Sequence, residues 1–243
     1  IEENNENRAL ELVLENYLSF YRGSEDFCTH TQILIPMKKG ILGSFNINKI
    51  IQKSMNRKTE LLKKNDDVMI YQGDTVIQTR NNYKLGVING DIGQVLDQEI
   101  EGKKKSIIVN INGYAHIYEG KDIFDIDPAY ALTIHRSQGS EYENVIIPVS
   151  NYHEFMLDPK LLYTAVTRAK KKVLMIGDSP SDFYAARKNN ISFFPIIPGK
   201  EDISWRFLQS KAISSFFSFE YKHGLEKKKI IEFESAINAK LNN

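Results

Sequence analysis

Short apolar segments alternate with helix-forming segments along the second half of the chain, and this alternation constrains the fold most strongly. The pattern predicts a helix at 160–170 and strands at 131–134, 145–149 and 173–177. A further helix is predicted from Ser179, because Pro follows this Ser and an acid stands three positions after it. Strands alternating with helices form a mostly parallel, doubly wound sheet. The predicted fold class is therefore α/β.

The first part of the chain shows the same kinds of segment. Apolar spacing of three and four residues predicts a helix at 8–21, and a second helix is expected at 46–55. Strands are predicted at 31–36, 68–71 and 75–79. We expect these segments to belong to the same α/β domain, which would then comprise residues 1–83 and 127–198.

Residues 84–126, between these two parts, have a different sequence pattern, in which short predicted strands alternate with turn dipeptides. Asn89-Gly90 and Asn112-Gly113 are typical of two-residue hairpin turns. Apolar strands at 107–111 and 114–118 flank the second pair, so a hairpin is predicted there. The stretch holds enough strands for a small antiparallel barrel inserted into the α/β domain. Residues 199–243 are predicted to form a C-terminal helical extension.

Composition sets limits on function. Apolar residues make up 42% of the chain and charged residues 26%, as in a globular protein with its own core. The net charge of +1 means that any nucleic-acid-binding surface must be a local patch. One cysteine fits a reducing cytoplasm, and no apolar run is long enough for a membrane span. The acidic, polar start has no signal-peptide pattern, and its first residue, Ile1, indicates a piece of a longer protein.

Polar side chains follow the strand predicted at 131–134. Thr133, His135 and Ser137 would lie at the carboxyl edge of the sheet, where α/β proteins bind ligands. Hydroxyl and imidazole donors suit phosphate oxygens, which position a nucleic acid without specifying its sequence. A polar turn capped by Ser and Thr is the alternative interpretation of these three residues taken alone.

Two further features indicate nucleotide chemistry. The segment after Ser137 contains a glycine, which lets the backbone approach a ligand, and Glu141, whose carboxylate can accept from a ribose hydroxyl. Arg168 is predicted on the helix at 160–170, just before a strand. A guanidinium stays charged and offers a planar fork of donors that suits a γ-phosphoryl group. Taken alone, this arginine is better explained as an ordinary surface residue of a basic helix.

Two strings about thirty residues apart, YALTIHRSQGSE at 130–141 and LYTAVTRAK at 162–170, resemble the last two signature motifs of a superfamily 1 DNA helicase of the RecD family (exodeoxyribonuclease V alpha subunit). IPMKKGILG at 35–43 is similar to the family's segment after the strand that opens the second RecA-like domain. RNNY at 80–83 with VINGDIG at 87–93 resembles the start of its inserted SH3-like barrel. The resemblance thus covers about three fifths of the chain.

The resemblance implies a RecA-like second motor domain with an SH3-like β-barrel insertion, acting in DNA recombination and repair with 5′-to-3′ movement. It implies single-stranded DNA contacts by a set of five residues: Thr133, His135, Ser137, Asn81 and Asn89. It implies nucleotide contacts by Gln138, Gly139, Glu141 and Lys38, although a solvated loop explains Lys38 equally well. Arg168 would be the catalytic arginine finger reaching the γ-phosphate.

Other expected groups are missing from the sequence. There is no G-x-x-x-x-G-K-[ST] phosphate loop and no Asp-Glu pair for Mg²⁺ after an apolar strand. We therefore expect ATP with Mg²⁺ to bind with an N-terminal RecA-like domain of the same protein, and the chain alone not to hydrolyse ATP. Other exodeoxyribonuclease V subunits are further expected partners, and no metal site is expected within the chain itself.

Two alternative functions stay open from the sequence. The first is the helicase part of a conjugative relaxase or a stand-alone RecD-like enzyme, which would use the same chemistry in another pathway. The second is a non-catalytic DNA-binding scaffold that kept the fold and lost the motor. Arg136, which stands where the RecD family often has Lys, keeps the charge and does not discriminate between them.

Overall fold

The structure is a computed structural model that describes residues 10, 31–55, 60–63, 68–101, 104–149, 159–212, 215–216, 218 and 220–241. The helix predicted at 8–21 lies outside these residues, apart from Leu10, which is buried. The strands are β1 (Thr31–Ile35), β2 (Glu60–Lys63), β3 (Met69–Tyr71), β4 (Thr75–Gln78), β5 (Ile92–Glu101), β6 (Lys104–Ile111), β7 (Tyr114–Glu119), β8 (Ile126–Pro128), β9 (Ala131–Thr133), β10 (Tyr142–Pro148), β11 (Ala169–Gly177) and β12 (Ser192–Pro195). The α-helices are α1 (Ser44–Ser54), α2 (Pro159–Val166), α3 (Pro180–Lys188), α4 (Glu201–Phe207) and α5 (Glu226–Leu241).

Five parallel strands form the central sheet in the order β12–β11–β10–β1–β9. Neighbours in this sheet are not all neighbours in sequence, so the chain crosses over its faces between strands. Ile33 of β1 pairs with Ile146 of β10 on one side and with Ala131 of β9 on the other. This is the doubly wound, RecA-like sheet that the sequence predicted.

Side chains of β1 alternate between two hydrophobic cores, one on each face of the sheet. Ile33 and Ile35 join the first core, which α1 covers, whereas Leu34 joins the second core, which α2, α3 and α5 cover. All three side chains are fully buried. A strand buried on both faces needs an apolar side chain at nearly every position. This explains why β1 contains a continuous apolar run rather than alternating polar and apolar residues.

A second, antiparallel sheet has the order β7–β6–β5–β4–β8 and encloses a third core. The short β2–β3 pair adds Leu61 and Ile70 to this core. The antiparallel unit is the predicted small SH3-like barrel. Its strands extend beyond the predicted stretch 84–126 on both sides, because β4 pairs with β5 and with β8.

The two Asn-Gly turns have different outcomes. Asn112 and Gly113 join β6 to β7 as predicted, with φ of 54° and 86°, the left-handed values that this tight turn requires. The two-residue hairpin predicted at Asn89-Gly90 is wrong. Pairing between β4 and β5 ends at Ile77 and Ile92, so a loop of residues 79–91 connects the strands and the Asn-Gly pair turns within that loop.

The C-terminal region packs against both faces of the parallel sheet. Phe216 and Tyr221 lie in the first core and Phe233 of α5 lies in the second. The Tyr221 hydroxyl donates to the Phe193 carbonyl oxygen (2.7 Å), and the Phe193 amide donates to the Glu226 carboxylate (2.6 Å). Because β12 is an edge strand, these bonds cover backbone groups that would otherwise be open to pairing. Within the described part of the chain, no helix is both long and apolar enough to cross a membrane.

Candidate functional site

The loop after β1 presents lysines at the carboxyl edge of the parallel sheet. Ile35 and Thr133 are register partners, so the segments that follow β1 and β9 start side by side. Lys38 and Lys39 in the first segment are exposed, and they share an open depression with Lys49 of α1. None of the described residues that line this depression is acidic. The depression is thus a local positive patch on a chain that is nearly neutral overall.

The amino end of α1 does not add an anion cradle to this patch. The Ser44 amide donates to the Met37 carbonyl (3.1 Å) and the Phe45 amide donates to the Lys38 carbonyl (3.1 Å). The loop therefore satisfies backbone donors that a phosphate would otherwise use. Binding of an anion here rests on the lysine side chains.

The predicted DNA-contact residues after β9 differ in accessibility. Thr133 is buried at the end of the strand, and a 3₁₀ turn, Ile134–Ser137, follows it. The Ser137 side chain is fully buried and its hydroxyl donates to the Ile134 carbonyl (2.8 Å), so it closes its own turn. His135 is exposed, whereas Arg136 is bound to the buried Asp127 carboxylate. Of the three predicted residues, His135 alone presents its side chain to solvent.

Residues 137–140 form a tight turn between the carboxyl end of β9 and the amino end of β10, which lie at opposite edges of the sheet. The Ser140 amide donates to the Ser137 carbonyl (3.1 Å), and Gly139 has a φ of 89°. An added Cβ on Gly139 would meet nothing within 4 Å, so the positive φ, and not crowding, favours glycine here. Gln138 and Gly139 are exposed. Glu141 follows, and its carboxylate lies 3.3 Å from the Lys170 ammonium in a pair exposed to solvent.

Arg168 lies in the turn between α2 and β11, because α2 ends at Val166 and β11 begins at Ala169. The prediction that it lies on a helix is therefore wrong, and so is the predicted start of this strand at 173. Its guanidinium donates to the carbonyls of Thr164 (3.2 Å) and Ser140 (3.2 Å) and to the Thr167 hydroxyl (3.1 Å). With the described residues, these bonds use three of the five guanidinium donors, which leaves one donor on each terminal nitrogen.

The backbone fastens Arg168 to the turn at 137–140 from the other side as well. The Tyr142 amide donates to the Arg168 carbonyl (2.8 Å), where β10 begins beside β11. Burial raises the pKa of the Tyr142 hydroxyl to about 12, so it stays neutral beside the arginine. Arg168, Gly139 and Glu141 thus lie near one another at the amino edge of the sheet. Their contact with a nucleotide stays a prediction.

The barrel loop at 79–91 brings together the two predicted asparagines. The Asn89 amide donates to the Asn81 side-chain oxygen (2.8 Å), and both residues are exposed. The Ser140 hydroxyl lies 3.4 Å from the Gly90 carbonyl oxygen, which places this loop against the turn that precedes β10. Asn81 and Asn89 are therefore linked to Arg168 through Gly90 and Ser140.

The structure separates Lys38 from the other predicted nucleotide contacts. Lys38 follows the carboxyl end of β1, whereas Arg168 precedes the amino end of β11, and β1 and β11 run parallel in one sheet. Sequence reasoning also missed Lys49, Ser140 and Lys170. Lys49 has a detectable signal, since it lies on the helix directly after the lysine-containing loop. Ser140 gives no such signal, because it accepts from Arg168 through its backbone carbonyl. Among the described residues, no group of three His, Cys, Asp or Glu side chains is placed to hold a metal ion.

Comparisons with known proteins match both units. Residues 128–176 match the UvrD-like helicase C-terminal domain, and residues 47–111 match the ATP-dependent RecD-like DNA helicase SH3 domain. The ATP-dependent RecD2 DNA helicase of Deinococcus radiodurans is 35% identical over 162 residues, which cover 65% of this chain and 21% of that protein. The RecBCD enzyme subunit RecD of Mycobacterium tuberculosis is 37% identical over 111 residues, which cover 46% of this chain and 19% of that protein.

Among solved structures, unliganded Pif1 from Bacteroides sp. aligns with a TM-score of 0.44 at 19% identity, over 86% of this chain and 53% of that one. The chain spans about a fifth of the length of the two relatives described above. The two domain matches and these relatives support a similarity of this chain to the C-terminal part of a RecD-like helicase.

Proposed function

We propose that this chain is the second RecA-like motor domain of an ATP-dependent DNA helicase, with DNA and nucleotide bound at opposite edges of its parallel sheet. One observation carries the proposal: Arg168, Gly139 and Glu141 meet at the amino edge, while Lys38, Lys39 and His135 stand at or just beyond the carboxyl edge. A motor must hold two ligands at once and shift one in response to the other. Two separate edges of one rigid sheet meet this requirement.

In this proposal Arg168 acts as an arginine finger. Its two remaining donors would stabilise the charge that develops on the γ-phosphate during transfer, an effect worth about 10³–10⁵ in rate in well-studied nucleotidases. The bonds to Thr164, Thr167 and Ser140 hold the guanidinium in place before the ligand arrives. Preorganised donors are effective because they need no rearrangement at the moment of reaction. Because Gly139 has no side chain, the nucleotide could approach the backbone closely at this position.

The remaining groups for hydrolysis would come from another domain of the same protein. The phosphate loop and the ligands for Mg²⁺ are assigned to an N-terminal RecA-like domain, since the described residues offer no metal cluster. The arginine would complete the site when the two domains close. Movement in the 5′-to-3′ direction, a role in DNA recombination and repair, and association with other exodeoxyribonuclease V subunits follow from the family and are part of this proposal.

At the carboxyl edge, the lysines and His135 would contact the phosphates of single-stranded DNA. This assigns Lys38 to the DNA rather than to the nucleotide, because its position relative to Arg168 leaves no shared ligand. Thr133 and Ser137 would shape the turn that presents His135, since their side chains are buried. Asn81 and Asn89 stay predicted DNA contacts on the barrel loop.

Binding of a labelled oligonucleotide to this chain, followed by fluorescence anisotropy over a range of salt concentrations, tests the DNA half of the proposal. Each phosphate contact contributes about −0.7 to the slope of log affinity against log salt for a single strand. Replacing Lys38, Lys39 and Lys49 together by Gln should therefore weaken binding and reduce the magnitude of the slope by about 2. Replacing three exposed lysines elsewhere, Lys188, Lys227 and Lys228, should leave both unchanged. Equal losses in the two triple variants would reject the assigned surface.

A further inference from the structure

A buried carboxylate stands where the barrel meets the parallel sheet. Asp74 is fully buried in the turn between β3 and β4. Its carboxylate accepts from the Gln52 side-chain amide (2.6 Å), the Tyr71 backbone amide (2.8 Å) and the Tyr130 hydroxyl (2.9 Å). Three donors around one buried carboxylate make a site that suits an acid in this place.

The three donors come from different parts of the fold. Gln52 lies on α1, which covers the parallel sheet, and it also donates to the Met69 carbonyl of β3 (2.8 Å). Tyr130 lies in the link that joins β8 of the barrel to β9 of the sheet, and its ring belongs to the first core of the sheet. Tyr71 ends β3 of the barrel. Asp74 therefore connects a helix of the α/β domain, the link between domains and the barrel itself.

Two further buried amides fix the link between β8 and β9. The Gln32 amide donates to the carbonyls of Ala129 (3.1 Å) and Tyr130 (3.0 Å). Asn48 of α1 donates to the Ala131 carbonyl (2.9 Å) and accepts from the Ala131 amide (2.7 Å). These bonds come from elements of the α/β domain, so the α/β domain holds the chain at the point where it leaves the barrel.

Apolar packing adds a second attachment. Ile77 of β4 is buried in the second core of the parallel sheet together with Leu132 and Ile134, and Ile92 of β5 packs against the same core. Strands of the barrel and strands of the sheet thus share one core. Rotation of the barrel would expose these side chains and would separate Asp74 from its donors inside the protein, where an unsatisfied polar group is costly.

We propose that Asp74 is a positioning residue that locks the barrel and the parallel sheet into one rigid body. A hinge at the domain boundary needs a segment whose backbone angles can change without breaking many hydrogen bonds, whereas the link 129–131 is bonded to both Gln32 and Asn48. The barrel therefore moves with this α/β domain whenever the domain moves. This inference holds for the 243-residue chain whether or not the proposed motor function is correct.

Pulsed electron spin resonance on the chain tests the inference directly. One spin label is attached at Glu119 of the barrel and one at Arg187 of α3, each replaced by Cys, with the single natural cysteine, Cys28, replaced by Ser. Both label positions are exposed. The distance distribution should be narrow in the parent protein. It should broaden in Asp74→Ala and, to a smaller extent, in Tyr130→Phe, which removes one donor but keeps the ring.

A matched control separates positioning from loss of stability. Val109→Ala opens a cavity in the barrel core but keeps all three donors to the Asp74 carboxylate, so it should lower the melting temperature without broadening the distribution. A broad distribution in the parent protein would overturn the inference, and so would a narrow one in folded Asp74→Ala. If Asp74→Ala does not fold, Tyr130→Phe decides: a distribution as narrow as that of the parent would overturn the role of the network.

Discussion

Asp182 offers a prediction whose size follows from the structure. Its carboxylate accepts from the Ser179 amide (3.2 Å) at the start of α3, and the Ser179 hydroxyl accepts from the Asp182 amide (3.2 Å). Burial raises the pKa of Asp182 from 3.8 to about 6, against the lowering effect of these bonds. A difference of about two pKa units corresponds to about 3 kcal/mol between the two protonation states.

The direction of the pH effect follows from the sign of this shift. The folded protein holds the proton more tightly than the unfolded chain, so the stabilisation from protonation is complete below pH 3.8 and is lost as the pH rises through about 6. Asp182→Asn cannot titrate but keeps an oxygen that can accept from Ser179. We expect the free energy of unfolding of the variant, relative to the parent, to rise by about 2 kcal/mol between pH 4 and pH 7.5, because part of the total of about 3 kcal/mol is already lost at pH 4.

Urea unfolding at a series of pH values measures this difference. Ser179→Ala is the matched control, because it removes the cap hydroxyl and leaves the carboxyl group in place. This substitution should lower the free energy of unfolding by about 1 kcal/mol. The stability of the variant should still change with pH over the same acidic range. Parallel curves for the parent and Asp182→Asn over the whole range would refute the idea that burial of this carboxylate sets the pH dependence.

Two further predictions concern the two ends of the fold. Phe233→Ala, which empties a fully buried position on α5, should lower the free energy of unfolding by about 3–5 kcal/mol in urea, and a loss below about 1 kcal/mol would show that α5 is not part of the core. Gly93→Ala would place a Cβ 2.5 Å from the Asn110 carbonyl oxygen, so we expect the barrel to be strongly destabilised. Gly86→Ala is the comparison, since it meets nothing within 4 Å and carries only the cost of a positive φ, about 1 kcal/mol; equal melting temperatures for the two variants would contradict the crowding at Gly93.

The repeating elements of the fold were predictable because local patterns specify them. The helix start at Ser179 has the predicted capping box with Pro180 in its first turn. The turn at Asn112-Gly113 has the predicted positive φ values. In both cases the signal lies within a few residues, and the same residues form the observed turn or cap.

The joint between the two units was not predictable from such local patterns. Asp74 bonds to Gln52 and Tyr130, which are distant in sequence, and the residue pattern around a buried acid in a turn resembles that of an ordinary surface turn. The predicted start of the barrel at residue 84 left out β4 (Thr75–Gln78) for the same reason. An apolar strand such as β4 pairs equally well with a parallel or an antiparallel neighbour, and its long-range partners decide between them.

The candidate site shows the same division. The motif strings brought Arg168, Gly139 and Glu141 to attention, and the structure gathers them at one edge of the sheet. Lys38 lies at the other edge, because it follows a strand whereas Arg168 precedes one. The motif resemblance alone grouped Lys38 with the nucleotide contacts, and the strand positions separate it from them.

The most direct test of the central claim is DNA-stimulated ATP turnover by the protein extended upstream of this chain to include the proposed phosphate-loop domain. With Arg168→Ala, turnover should fall by about 10³-fold or more while binding of single-stranded DNA is retained. Arg187→Ala, at an exposed arginine on α3, should change neither. Turnover within a few-fold of the parent in Arg168→Ala would contradict the arginine-finger assignment, and no turnover in the parent would favour a DNA-binding scaffold over a motor.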